Sequence, residues 1–127
     1  MTRKTEQRSA IHEVLKAAEG PLSVPEILIR AQELVPGLGT ATVYRNIKMA
    51  IKEGHLATVD VPGEPVRYEA AGQHHHHHFK CLACGKVYDI EGCFEALDRL
   101  APRDYQVEGH ELTLYGRCSA CRTPSIF

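Results

Sequence analysis

A chain of 127 residues is long enough for one ordinary domain or two small ones. Its 43% hydrophobic and 24% charged residues match a soluble globular protein, and no run approaches the roughly 18 apolar residues of a membrane helix, which excludes a membrane-spanning role. The net charge of −1 hides a change of sign: residues 1–56 carry eight Lys/Arg against six Asp/Glu, and residues 57–127 seven against ten, a division that suits a nucleic-acid-facing first half and a cation-collecting second half.

The opening MTRKTEQRSA is polar and lacks the apolar stretch of a secretory signal, so a cytoplasmic protein with reduced cysteines is expected. From Glu6 to Ala18, the residues Ile11, Val14, Leu15 and Ala18 recur at helical spacing until Gly20-Pro21. Ser23 precedes Glu26 by three residues, a capping-box pattern, and Ile27, Leu28, Ala31 and Leu34 carry an apolar stripe as far as Pro36-Gly37. Thr40 is the expected N-cap of a third helix with Val43, Ile47, Ala50 and Ile51 on one face and Gly54 at its end. Extended segments at His55–Val61 and Val66–Ala70, joined by Pro62-Gly63-Glu64-Pro65, read as a hairpin. Three helices and a hairpin predict a winged helix-turn-helix over residues 1–70.

Residues 71–127 change character, with a hinge expected near Ala70–Gln73. Short strands are expected around Phe79–Cys81 and Val87–Ile90, a helix from about Cys93 to Leu100, and a half-exposed strand over Glu111–Tyr115. The fold class is therefore α+β, a winged helix followed by a small α/β domain. Cys81-Leu82-Ala83-Cys84 and Cys118-Ser119-Ala120-Cys121 are paired knuckles 33 residues apart. Such pairs also serve in redox and iron-sulfur chemistry, but two intact pairs, with Gly85 following the first for a tight turn, favour a closed tetrahedral Zn²⁺ site. The run His74–His78 is internal and two residues short of a knuckle. If extended, it sends His74, His76 and His78 to one face and His75 and His77 to the other, so it can feed two metal sites rather than form a merely solvated loop.

Several elements in fixed order resemble the ferric uptake regulator family of bacterial metalloregulators: Ala41-Thr42-Val43-Tyr44-Arg45, Arg67-Tyr68-Glu69, His74–His78, Cys81-Leu82-Ala83-Cys84-Gly85-Lys86, and His110 followed by Leu114-Tyr115-Gly116-Arg117-Cys118-Ser119-Ala120-Cys121. The resemblance covers nearly the whole chain. It implies a homodimer that binds an AT-rich inverted repeat in double-stranded DNA when its regulatory metal is present and represses transcription there. It implies that Glu69, His76, His78 and Asp89 hold the regulatory divalent ion, Fe²⁺, Zn²⁺ or Mn²⁺, and that His75, His77, Glu95 and His110 form a second site. Two departures stand out. The segment after Asp89 is one residue shorter than the family's pattern, and Pro21-Leu22-Ser23 stands where many members place a histidine ligand.

In a helix-turn-helix the second helix of the motif enters the major groove, here the one opening at Thr40. Thr42, Tyr44, Arg45 and Lys48 are the expected DNA contacts, Thr42 near a phosphate and Arg45 as base reader, with Lys52 beyond them and Arg3 and Lys4 as a basic arm. The family resemblance supports Tyr44 and Arg45. Cys93, the unpaired cysteine, reads either as a small buried apolar residue or as a soft extra ligand that would favour zinc. No catalytic residue is expected: the His-x-Glu and Pro-Cys-x-x-Cys arrangement of zinc deaminases is missing. A metal-storage or metallochaperone module would leave the helix-turn-helix half unexplained, and within the family a peroxide or haem sensor is the alternative, against which Glu69 argues mildly because peroxide sensors carry Asp there.

Overall fold

The computed structural model describes residues 2–123, apart from the side chain of Glu95. The chain divides between Gln73 and His74 into two compact units.

The first unit is built on three helices, α1 (Arg3–Ala17), α2 (Val24–Gln32) and α3 (Thr40–Lys52). Ala10, Ile11, Val14 and Leu15 form the buried stripe of α1, one helical turn repeated, and the last three pack with Leu22, Val24, Ile27, Ala31, Leu38, Val43, Ile47 and Leu56 into one core. Ile27, Ala31 and Val43 are wholly removed from water. Each large aliphatic side chain so buried contributes roughly 1.5–3 kcal/mol of transfer free energy. The capping box at the head of α2 is complete: the Ser23 hydroxyl accepts from the Glu26 amide, and the Glu26 carboxylate accepts from the Ser23 amide.

Several boundaries differ from the sequence reading. Helix α1 begins at Arg3 because the Thr2 hydroxyl accepts from the Thr5 amide, so Arg3 and Lys4 lie in a helical first turn and form no extended arm. At α3 the cap is Gly39, in extended conformation, and Thr40 is the first helical residue; the Gly39 carbonyl accepts from the Val43 amide, and no side chain caps the helix. Leu34 and Ile51, expected on apolar faces, are exposed, while their neighbours Val35 and Ala50 pack partly buried against the core.

Strands β1 (Leu56–Val59) and β2 (Arg67–Ala70) form the hairpin, antiparallel with Leu56 opposite Ala70 and Val59 opposite Arg67. Leu22, just before α2, extends this ribbon: its amide donates to the Tyr68 carbonyl at 2.9 Å and its carbonyl accepts from the Tyr68 amide at 2.8 Å.

The second unit is a three-stranded sheet in the order β4-β3-β5, with β3 (His77–Cys81) antiparallel to β4 (Val87–Ile90) and parallel to β5 (Thr113–Gly116). Between β4 and β5 lies a 3-10 helix, Glu95–Leu100, where a helix starting near Cys93 was expected. Its i to i+3 bonds, such as Leu97 amide to Phe94 carbonyl, fit a short segment whose apolar ends, Phe94 and Leu100, stay 70% and 81% exposed in the single chain. Gly116 sits beneath the Phe79 ring, 3.2 Å from where a Cβ would stand, so β3 and β5 close at a point a larger residue would crowd. No helix among the described residues is long and apolar enough to cross a membrane.

Candidate metal centres and nucleic-acid interface

The four knuckle cysteines converge. Cys81 ends β3 and is fully buried, and Gly85, at φ +77°, turns the chain so that its amide meets the Cys81 carbonyl at 2.9 Å and β4 can return. The parallel pairing of β5 with β3 delivers Cys118 and Cys121 to the same place, with the Leu82 amide bonded to the Gly116 carbonyl at 2.7 Å. All four sulfurs lie within 4.8 Å of one another, and those of Cys84 and Cys118 are 3.9 Å apart. Sulfurs at about 2.3 Å from a tetrahedral zinc stand about 3.8 Å apart, which the Cys84–Cys118 separation matches, so four thiols gathered this closely fit zinc.

The amides of Cys84 and Cys118, each 3.4 Å from the Cys81 sulfur, favour its thiolate and hold this thiol down at about 6. A hydrogen bond from the Tyr88 hydroxyl holds Cys118 below the ordinary thiol range and pushes the Tyr88 hydroxyl well above its own. Cys121 is pushed up to about 12, first by its hydrogen bond with Cys118 and then by burial. Four adjacent sulfurs cannot all ionise beside one another unless a cation neutralises them, and a zinc ion supplies that charge when bound.

The histidine run alternates as its sequence suggests, and each face gathers its own group. On one, His78 lies directly across from Asp89 on β4, and His76 follows at the next same-face position. The Asp89 Oδ1 is 3.4 Å from His76 Nε2 and 3.5 Å from His78 Nε2, and the two rings meet edge to face at 5.0 Å. The His76 Nδ1 donates to the His74 carbonyl at 2.8 Å, which leaves the Nε2 lone pair directed at this group. Glu69 stands on β2 of the first unit, opposite Ala57 and seven residues before His76.

On the other face, His75 Nε2 and His77 Nε2 each lie 3.2 Å from His110 Nε2. His77 is buried, and its pKa is lowered first by that burial and then by the neighbouring histidines. Two further residues join this group. Cys93 Sγ is 3.1 Å from His110 Nε2, and Asp98 Oδ1 accepts from His110 Nδ1 at 2.9 Å. The Glu95 side chain lies outside the described residues. Sequence reasoning missed Asp98 and Tyr88 altogether: neither belongs to a motif, and only the tertiary fold brings them to their neighbours.

The expected DNA-contacting residues share the outer side of α3. Val43 and Ile47 bury the inner face, while Tyr44, Arg45 and Lys48 are exposed and Thr42 is half-buried. Arg45 Nη2 donates to the Thr42 hydroxyl at 3.1 Å, which holds the guanidinium along the helix toward its N-terminal end. Lys52 is exposed one turn beyond Lys48.

Residues 1–115 match the model of the ferric uptake regulator family. The chain belongs to that family. It is 30% identical over 126 residues to the ferric uptake regulation protein of Bacillus subtilis (strain 168), a match spanning 92% of this chain and 83% of that protein. Among solved structures it resembles a zinc-bound manganese uptake regulator, 32% identical with a TM-score of 0.81, covering 92% of this chain and 91% of the other. It also resembles the Helicobacter pylori ferric uptake regulator, described as having three functional metal binding sites, 25% identical with a TM-score of 0.67, covering 94% and 82%. Ferric uptake regulators are metal-responsive transcriptional regulators that bind DNA and act as dimers.

Proposed function

We propose that the protein is a cytoplasmic repressor that binds an AT-rich inverted repeat as a homodimer when a divalent ion fills a site on Glu69, His76, His78 and Asp89. The observation that carries this reading is the convergence of His76 and His78 on Asp89. Two imidazoles and a carboxylate suit Fe²⁺, Zn²⁺ or Mn²⁺. Glu69 is the acidic ligand that the family resemblance assigns from the first unit. Zinc on Cys81, Cys84, Cys118 and Cys121 is structural, and His75, His77 and His110 form a second regulatory site, to which the family resemblance adds Glu95 as the expected acidic ligand.

The missing histidine at Pro21-Leu22-Ser23 has a substitute in the first unit. Arg67, two residues before Glu69, is buried and donates to the Pro21 carbonyl at 3.1 Å and to the capping carboxylate Glu26 at 2.5 Å. Together with the Leu22 and Tyr68 bridge, this fastens the strand bearing Glu69 to the head of α2, so a pull on Glu69 is passed to the helix-turn-helix without a ligand there. Thr42, Tyr44, Arg45 and Lys48 contact DNA, Arg45 reading base edges. Strand β5 has β3 on one side only among the described residues, with Leu114 and Tyr115 nearly half exposed, an edge suited to dimerisation.

Fluorescence anisotropy with a promoter fragment carrying an AT-rich inverted repeat, and with a shuffled fragment, tests the reading. Tight binding to the repeat that needs added divalent metal is expected. Equal binding to both fragments, or binding indifferent to metal, would overturn it.

A further inference from the structure

The group on the second face of the histidine run holds more than the family pattern assigns. His110 donates its Nδ1 proton to Asp98, so in the neutral ring its Nε2 carries a lone pair and no hydrogen. Three heads crowd that single lone pair: His75 Nε2 at 3.2 Å, His77 Nε2 at 3.2 Å and Cys93 Sγ at 3.1 Å. One lone pair cannot accept three hydrogen bonds, whereas one cation can accept four lone pairs.

The spacing agrees with that alternative. All four donor atoms lie within 4.8 Å of one another, and nitrogens at about 2.0–2.1 Å from a tetrahedral zinc stand about 3.3 Å apart, close to the two separations of 3.2 Å. Three independent pieces of chain supply the donors: the histidine run, the bend before the 3-10 helix, and the approach to β5. Asp98 orients its ligand in the carboxylate–histidine–metal manner.

We propose that Cys93, rather than an acidic residue, is the fourth ligand of this second site, making it a closed site of three imidazoles and one thiolate that selects zinc over iron or manganese. The inference rests on the second site proposed above and specifies its chemistry. A thiolate is a soft donor that favours zinc, whereas Mn²⁺ and Fe²⁺ gain less from it, and four protein ligands complete a tetrahedron with no open position. Asp98 is a positioning residue. The shorter segment after Asp89 accompanies this exchange of donors. The hinge group of His76, His78 and Asp89 has no sulfur, so the two faces of one histidine run differ in metal preference.

Cobalt(II) reports this directly, because a thiolate bound to it gives a near-ultraviolet charge-transfer band that imidazole and carboxylate do not. The full-length protein, its four-cysteine site filled with zinc, is titrated with cobalt(II) while retained zinc is measured. The band should appear in the parent, survive in Glu95→Gln and in His76→Ala with His78→Ala, and vanish in Cys93→Ser without loss of zinc. Asp98→Asn should keep the band at saturation with affinity lowered about 10–100-fold.

An undiminished band in Cys93→Ser, or its loss in Glu95→Gln alone, would overturn the assignment. So would cobalt uptake by the parent that His75→Ala with His77→Ala abolishes but that brings no charge-transfer band. That last result spares the second site and removes only its thiolate. Uptake unchanged in the His75 and His77 variant would instead remove the second site itself.

Discussion

The two units are held together by different physics. Among the described residues, fourteen of the buried hydrophobic side chains belong to the first unit, whereas the second contributes only Cys81 and Val87, with His77 its one buried polar residue. The first unit has an ordinary apolar core with no metal-donor group in it. In the second, two of the three buried side chains among the described residues, Cys81 and His77, are donors in the proposed metal sites, so its stability is expected to depend on metal occupancy. On the function proposed above, that division suits a sensor: the reading head is expected to stay folded while the metal-binding half registers the signal.

The largest expected effect separates the halves. Cys118→Ser, or removal of zinc by a strong chelator, should abolish tightly bound zinc and dimerisation and melt the three-stranded sheet, while circular dichroism retains the helical signal of α1 to α3. A stable, dimeric, zinc-free Cys118→Ser protein would show that the four-cysteine site is not structural.

Within the first unit, Arg67→Met should leave zinc content unchanged and lower the stability of the helical unit by about 3 kcal/mol in denaturant titration. That is the low end of the usual cost of breaking a buried ion pair, because the Glu26 side chain is still 24% exposed. Since Arg67 also fastens β2 to α2, the variant should show a weaker metal response at operator concentrations where the parent responds fully. A full response would place the coupling elsewhere.

Smaller effects fall on α3. Arg45→Ala should weaken operator binding by about 1–3 kcal/mol and relax base preference, measured with a panel of single-base operator variants. Unchanged affinity would rule out α3 as the reading helix. Lys52→Ala should change little at low salt and lower the slope of log affinity against log salt by about 1.

What sequence could show was mostly local. The capping box of Ser23 and Glu26, the turn at Pro62-Gly63 and the two-residue alternation of the histidine run each depend on neighbours a few positions away, and each emerges in the structure as read. The cap of α3 was misread because Thr40 is a common capping residue and Gly39 caps through its backbone alone. The helix expected over Cys93–Leu100 begins at Glu95 and is 3-10, a distinction that depends on how Phe94 and Leu100 pack, and in the single chain both stay exposed. Least legible were residues recruited over distance. Asp98 meets His110 twelve positions later, Tyr88 meets Cys118 thirty positions later, and Arg67 reaches back to Pro21. Cys93 was visible as an unpaired cysteine, but its neighbours depend on where β5 brings His110.

In the function proposed above, the face of the histidine run bearing His76, His78 and Asp89, and not the face bearing His75 and His77, switches DNA binding. Two major grooves about 34–36 Å apart must be met at once, so an ion bound there is expected to raise operator affinity without touching DNA. The direct test is operator affinity across a metal titration for His76→Ala with His78→Ala and for His75→Ala with His77→Ala. The first variant is expected to remain a zinc-loaded dimer but to lose the metal-induced gain, a coupling on the order of 5–150-fold in typical allosteric proteins, while the second loses less. A His76 and His78 variant that responds like the parent would instead place the switch at His75, His77 and His110.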